Sequence, residues 1–496
     1  MTLRSLPPVR SLALAALALA AACGGDQGTG PDEGGVLAVA SVHPGANALA
    51  AAADTAVTVR FDRPVDRGSV TARTFHAFGR GSGPARGTIE FGDGDRTVTL
   101  RPARPFSAGE QVTVFVARSV RAQDGASVQP GGYSVQVWTR SAPSALDFEP
   151  IQVMSTRSSP SEPTRAYGGL ATDLDGDGAL DLTIVNEDTA DLRVFRGRGD
   201  GGFQAFLTPP AAVGPRASPS EPADFDLDGR ADAAVANVDA DTVSVLLGRG
   251  DGTFAPARTL SVGRFPRGVA VLDADGDGAL DLAVAQARSS NLTVLRNDGA
   301  GQFGQPNTFD GGVGGEWGLA AADFTGDGRL DLVVGGQDHQ VRVLRSEGDG
   351  RFTPMAPVDA GGEVWMITTG DVNGDGLADV ATANSSSNNG AVLLGDGRGG
   401  LRRAGTYGVG PFTLATDLAD LDGDGDLDWV LSSYGGSWTV LAGDGRGGFS
   451  EAAVVRASEA ASCALLLDFD GDRDIDLALV DEDADEVRLL RNRGPR

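Results

Sequence analysis

A nine-residue acidic phrase returns seven times between residues 173 and 476, each copy starting 48 to 51 residues after the one before. It reads DLDGDGALD at 173–181, DFDLDGRAD at 224–232, DADGDGALD at 273–281 and DFTGDGRLD at 323–331. It continues as DVNGDGLAD at 371–379, DLDGDGDLD at 420–428 and DFDGDRDID at 468–476. So regular a period means that one structural unit is built seven times and stacked on itself. Positions 1, 3, 5 and 9 carry side-chain oxygen, and glycine between them allows the sharp turn that directs those oxygens inward. Six to eight oxygen ligands are what a hard divalent cation takes. Without one, two carboxylates about 4 Å apart repel by about 4 kcal/mol at an effective dielectric of 20. A hydrophilic hairpin made of Asx turns would leave a similar single phrase, but not seven in phase. Three copies depart from the pattern: Leu227 stands for the first glycine, Thr325 is neutral at position 3, and Arg473 replaces the turn glycine.

Each copy sits in the same frame. A small-residue strand such as GLAAA at 318–322 precedes it, and β-rich strands such as LAVA at 282–285 and TVSVLL at 242–247 follow. A G-x-G-x-F turn then opens a fourth strand, with Phe203, Phe254, Phe303, Phe352, Leu401 and Phe449 at its start. Four strands per period of about 49 residues, repeated radially, make a propeller blade. The chain stops where the seventh fourth strand is due, while a spare phenylalanine, Phe148, stands before the first loop. The segment 148–154 is therefore expected to complete the last blade and close the ring, leaving no open sheet edge. The predicted fold class is all-β, a seven-bladed β-propeller over 145–496.

These loops and turns resemble the FG-GAP/VCBS repeats of integrin α-subunits and of many bacterial surface proteins. The resemblance implies up to seven structural Ca²⁺ ions on one rim, with ligand recognition on the opposite face. Carried onto matching positions, it implies Asp173, Asp175, Asp177 and Asp181 as ligands in the first loop, and Asp224, Asp226, Asp228 and Asp232 in the second. The third supplies Asp273, Asp275, Asp277 and Asp281, and the fourth Asp323, Thr325, Asp327 and Asp331. The fifth supplies Asp371, Asn373, Asp375 and Asp379, and the sixth Asp420, Asp422, Asp424 and Asp428. Asp468, Asp470, Asp472 and Asp476 complete the seventh.

Residues 36–141 carry no aspartate repeat. Alternating strands at 55–61, 96–100, 111–116 and 133–138 predict a small sandwich of about seven strands. Phrases such as VTVRFDRPVD, VTLRPARPFSAGEQVTVFV and YSVQVWT resemble bacterial Ig-like domains, which implies a spacer or adhesion module, here a stalk. His43 and His76 lie in this region without the spacing or partners of a metal site.

Residues 1–22 place Arg4 and Arg10 before a Leu/Ala run from 12 to 22, the form of a secretion signal. LAAAC at 19–23 resembles the bacterial lipobox, which implies lipidation of Cys23; an ordinary cleaved signal with an incidental cysteine is the alternative. Residues 23–35 form a Gly/Asp-rich flexible tether. The same resemblance, with Gly24 where an Asp would imply inner-membrane retention, implies an outer-membrane lipoprotein, facing the periplasm or the cell surface, that meets the membrane only through its lipid.

A net charge of −27 argues against nucleic acid as a partner. All 41 basic residues are arginines, which GC-rich coding explains. Cys463 in its apolar run reads as a buried thiol without a disulfide.

On the face opposite the loops, the residues six before each first aspartate are Tyr167, Ser218, Arg267, Trp317, Trp365, Leu414 and Ser462. Arg267, Trp317 and Trp365 come from adjacent blades and are candidates to grip a glycan or a peptide carboxylate. The same rings would equally plug the channel. Asn186, Asn237, Gln286 and Asn384 recur in phase near that face, where capping of turns would also account for them. The propeller holds one histidine, His339, expected in a turn, and no G-x-S-x-G motif. The favoured function is a non-catalytic surface binding or adhesion lipoprotein for a glycan or surface protein. A structural envelope scaffold and a polysaccharide lyase-like enzyme are the alternatives.

Overall fold

The computed structural model describes residues 35–494. The leader, the tether to residue 34 and the lipidation candidate Cys23 lie outside them. Among the described residues the only helical element is a single 3-10 turn, Arg67–Ser69. None of their helices is long and apolar enough to cross a membrane.

Seven antiparallel sheets follow one another from residue 149 to residue 491. In each, the innermost strand runs into an acidic loop, and the second strand begins on that loop's last aspartate. Ala166–Thr172 thus pairs Asp181–Asn186 in the first blade, with Thr172 opposite Asp181. Ala461–Leu467 pairs Asp476–Asp481 in the last, with Leu467 opposite Asp476. The repeated phrase is therefore the hairpin between the two inner strands of every blade. The second strands are buried along their whole length on both faces, which accounts for their nearly unbroken Val, Leu and Ala. The seven inner strands contact one another in order, and the seventh contacts the first. The molecule is a closed seven-bladed propeller.

Closure uses the expected segment. Glu149–Ser155 is the outer strand of the last blade and pairs antiparallel with Glu486–Arg491, Val487 facing Met154. The outer strands are long in the fifth and sixth blades, Leu401–Gly408 and Phe449–Arg456. In the first three blades Phe203, Phe254 and Phe303 make only single bridges, to Gly197, Gly248 and Asn297.

The N-terminal part is a sandwich of two four-stranded sheets. One contains Val57–Phe61 and Thr97–Pro102, the other Phe75–Gly79, Gln111–Val116 and Tyr133–Trp138, and Phe61, Phe75, Val98, Val114 and Val135 fill the space between.

The expectation of a stalk is not met, because the sandwich sits on the propeller and covers the rim that carries the acidic loops. Phe78 and Phe115 enter the apolar core of the second to fourth blades, and Trp138 that of the fifth and sixth. Polar contacts reach every loop. Arg104 donates to the Gly176 carbonyl at 2.6 Å and Arg86 to that of Gly229 at 3.0 Å. The Arg118 and Ser134 amides donate to Gly276 and Gly328 at 2.7 and 2.6 Å, and Asn47 to Gly376 at 3.0 Å. In the connection to the propeller, the Ser144 and Ala142 amides donate to Asp422 and Arg473 at 2.9 and 2.6 Å. The contact is too close for side chains on the loops. A Cβ on Gly276 would lie 2.2 Å from the Gly131 backbone, and one on Gly328 would lie 2.3 Å from the Tyr133 ring. Apolar anchors and these polar contacts together dock the sandwich on the rim.

Candidate metal loops and the channel mouth

The acidic loops share one geometry. The position-nine aspartate is buried in all seven and accepts two backbone N–H groups. One oxygen takes the amide of position 2, such as Phe225 onto Asp232 at 2.7 Å. The other takes the amide that ends the third strand, such as Gly248 onto Asp232 at 2.7 Å. The same pair of bonds recurs on Asp181, Asp281, Asp331, Asp379, Asp428 and Asp476. This residue is a staple that ties the loop to the outer half of its blade. The position-one aspartate accepts the amide of position 6, as Asp273 does from Gly278 at 2.9 Å. Position 5 caps the amide of position 7, as Asp277 does for Ala279 at 2.8 Å.

Carboxylate oxygens of positions 1, 3 and 9 come within 4.8 Å of one another in the loops of Asp173, Asp224, Asp273, Asp420 and Asp468. In the other two loops position 3 is Thr325 or Asn373. Position 5, expected as a fourth ligand, is not part of the trio. Leu227 and Arg473, the non-glycine substitutes, both take up the left-handed conformation, with φ of 54° and 77°. The Arg473 amide still donates to Asp468, at 3.0 Å, so the seventh loop keeps the common turn.

Burial, aided by neighbouring carboxylates, pushes Asp232 and Asp476 up to about 8 and Asp181, Asp331, Asp379 and Asp428 to about 7. These are groups whose charge is uncompensated. The donor set is all oxygen, and Asp275 Oδ1 is buried in its trio without a hydrogen-bond partner. Both features fit a hard cation such as Ca²⁺.

The far end of the channel is closed by side chains. Arg267 is buried, and its guanidinium lies 5.3 to 5.9 Å from the ring centres of Tyr167, Phe265, Trp317 and Trp365. The rings of Trp317 and Trp365 stack at 3.9 Å, and Trp365 donates to the Tyr167 hydroxyl at 3.1 Å. The carboxylate of Glu187 lies 3.8, 3.7 and 3.6 Å from Arg165, Arg216 and Arg267. The three residues singled out on this face are thus brought together, but as a plug, with Arg267 and Trp317 largely withdrawn from solvent. Asn186, Asn237 and Asn384 are fully buried and bond Asp191, Thr242 and Asn389 across their own turns, so they cap. His339 stands in a turn with φ of 70°.

Two places earlier in the repeat stand Arg165, Arg216, Phe265 and Phe412, all with φ between 52° and 61°; Phe265 is buried in the plug, whereas Phe412 is well exposed. Left-handed backbone at four corresponding bulky residues is costly, and such conformations gather at functional sites. Phe412 packs edge-on against Trp365 at 5.1 Å and faces Tyr434 at 6.3 Å. The same seven-fold register marks these positions in the sequence, but only the loop geometry shows which offset reaches the surface.

A closed ring of seven blades with an acidic hairpin in each, capped by a sandwich, defines a repeat propeller. The FG-GAP-like repeat model matches six overlapping segments, 173–235, 224–284, 273–334, 323–382, 371–431 and 420–479. Each spans two successive loops, and the chain belongs to the FG-GAP-like repeat family. The bacterial Ig-like domain model matches residues 35–139. No curated protein matches the sequence. Among solved structures, BBS1N in complex with ARL6DN is similar at 13% identity, over 72% of this chain and 98% of that one, with a TM-score of 0.50. An Agrocybe aegerita lectin that recognises non-reducing terminal N-acetylglucosamine aligns at 20% identity over 65% and 87%, with a TM-score of 0.41. A Lactobacillus plantarum protein aligns at 18% over 60% and 86%, with a TM-score of 0.46. The first likeness shows the fold alone, and the other two are too distant to carry an argument.

Proposed function

We propose that this chain is a non-catalytic, calcium-stabilised recognition protein. It is held at the outer membrane by lipid on Cys23 and offers the loop-free face of its propeller to a glycan or a surface protein. One observation carries the choice of face. Among the described residues the large apolar side chains left well exposed are Val36, Val153, Phe412 and Val454, and the one aromatic, Phe412, stands at the channel mouth. Aromatic surface beside arginines and carboxylates suits sugar rings and peptide side chains alike. The sandwich occupies the opposite face, which leaves the mouth as the accessible end of the axis. Calcium in the acidic loops would hold the blades' inner hairpins in shape and has no reacting role.

The test is binding of the mature chain, carrying Cys23→Ser, to a glycan array and to purified envelope fractions. Phe412→Gly, which relieves the left-handed backbone, should abolish binding and leave the melting temperature nearly unchanged. Binding that survives Phe412→Gly would move the recognition surface elsewhere, and turnover of a polysaccharide would overturn the non-catalytic reading.

A further inference from the structure

Most of the polar contacts that the sandwich or its connection makes with a loop fall on a backbone carbonyl between positions 3 and 6, in the turn that aims the carboxylates. Arg104 goes further and also reaches the candidate ligand Asp173, at 3.0 Å. Behind the sandwich lies an axial chamber of about 250 Å³. Arg80 of the sandwich projects into it, and the plug of Arg267, Trp317 and Trp365 closes its other end. Cys463, on the inner strand of the seventh blade, lines a side recess of the same space together with Arg80, Glu221 and Asp417.

We propose that the sandwich is a lid whose docking is coupled to cation loading of the loops, so that withdrawing the cation opens the axial chamber. The inference rests on the calcium reading of the loops. One loop shape serves both the ion and the lid, so each raises the affinity of the other by the same factor. With the ion gone, the crowded carboxylates repel, the turns relax and all seven grips weaken together. The buried Phe78, Phe115 and Trp138 oppose release, so the lid is held by the sum of the two.

Cys463 reports the state of the lid. In the chain carrying Cys23→Ser it is the sole thiol, and burial pushes it up to about 12, so the closed form resists alkylation by access and by protonation. Maleimide labelling of the full mature chain is followed against free calcium. Calorimetry reads binding in parallel, and in a chain that also carries Trp138→Phe, because Trp138 would itself report the lid, emission from the buried Trp429 and Trp438 reads the fold of the sixth blade. The expected result is labelling faster by about tenfold in chelator, protected along the binding isotherm, with tryptophan emission unchanged. Calcium that binds without altering the labelling rate overturns the lid and leaves the metal loops standing. No heat of binding and no protection overturns the loop reading itself. Faster labelling accompanied by lost tryptophan emission is unfolding of the propeller and also overturns the lid. As a second arm, Asn47→Ala with Arg86→Ala removes two grips without touching a carboxylate. Calcium affinity should fall by about fivefold, and an unchanged affinity refutes the coupling.

Discussion

The guanidinium of Arg80, on the sandwich, lies 3.4 Å from the carboxylate of Glu221, on the inner strand of the second blade. Asp417, on the inner strand of the sixth, is 3.6 Å away on the other side. One arginine thus bridges opposite walls of the ring. Arg80 has considerable accessible surface, but that surface faces the chamber, which explains why burial still raises both carboxylates while the arginine lowers them. Arg80→Met should destabilise the chain by about 2 kcal/mol, less than a dry ion pair because the chamber is polar. Adding Glu221→Gln and Asp417→Asn should restore most of the loss in thermal melts. A triple variant no better than Arg80→Met would show that packing, not charge, is what Arg80 supplies.

Position nine and position three of a loop should respond differently. Asp232→Ala strands two buried amides and should cost about 3 kcal/mol even in chelator. Asp226→Asn keeps its hydrogen-bonding oxygen and relieves the crowding of carboxylates, so it should raise the melting temperature in chelator while shrinking the increment calcium adds. Equal behaviour of the two variants in chelator would refute the division of labour.

Calcium itself should raise the melting temperature. At ten times Kd each occupied loop adds about 1.4 kcal/mol, and seven loops make the effect large even where some are weak. Calorimetric scans with calcium and with EDTA measure it, and coincident scans would remove the metal reading.

The channel mouth should give a pH signature. Burial is the main cause that lifts Glu482 to about 7, opposed by Arg165 and reinforced by Glu187 and Asp483, with Tyr434 beside them. The folded chain then keeps a proton that the unfolded chain gives up near the ordinary 4.5. Stability from this site is present below that value and is lost as pH rises through about 7. Because the loop aspartates share the same window, Glu482→Gln should make the decline in melting temperature between pH 5 and 7.5 shallower without removing it, and a slope identical to that of the parent chain would dismiss the assignment.

Period and pattern were enough to establish much of this molecule. Seven copies of one hairpin, four strands to each and a spare segment at 148–154 dictate a ring of seven closed on itself, because every sheet edge must find a partner. The sandwich strands were legible from alternation alone, since one face of each must be apolar. The acidic sets at positions 1, 3, 5 and 9 were visible because they lie within nine residues of one another, but only the fold shows that positions 1, 3 and 9 converge. Other features depend on distance in space. No period links Arg80 to Asp417 or Asn47 to Gly376, and composition does not distinguish a stalk from a lid, so the place of the sandwich was decided by the fit of Phe78, Phe115 and Trp138 into cores built by other blades. The channel mouth divides in the same way: the repeat named its positions, but only the left-handed turn at Phe412 and its neighbours determined which side chains line the plug and which one faces water.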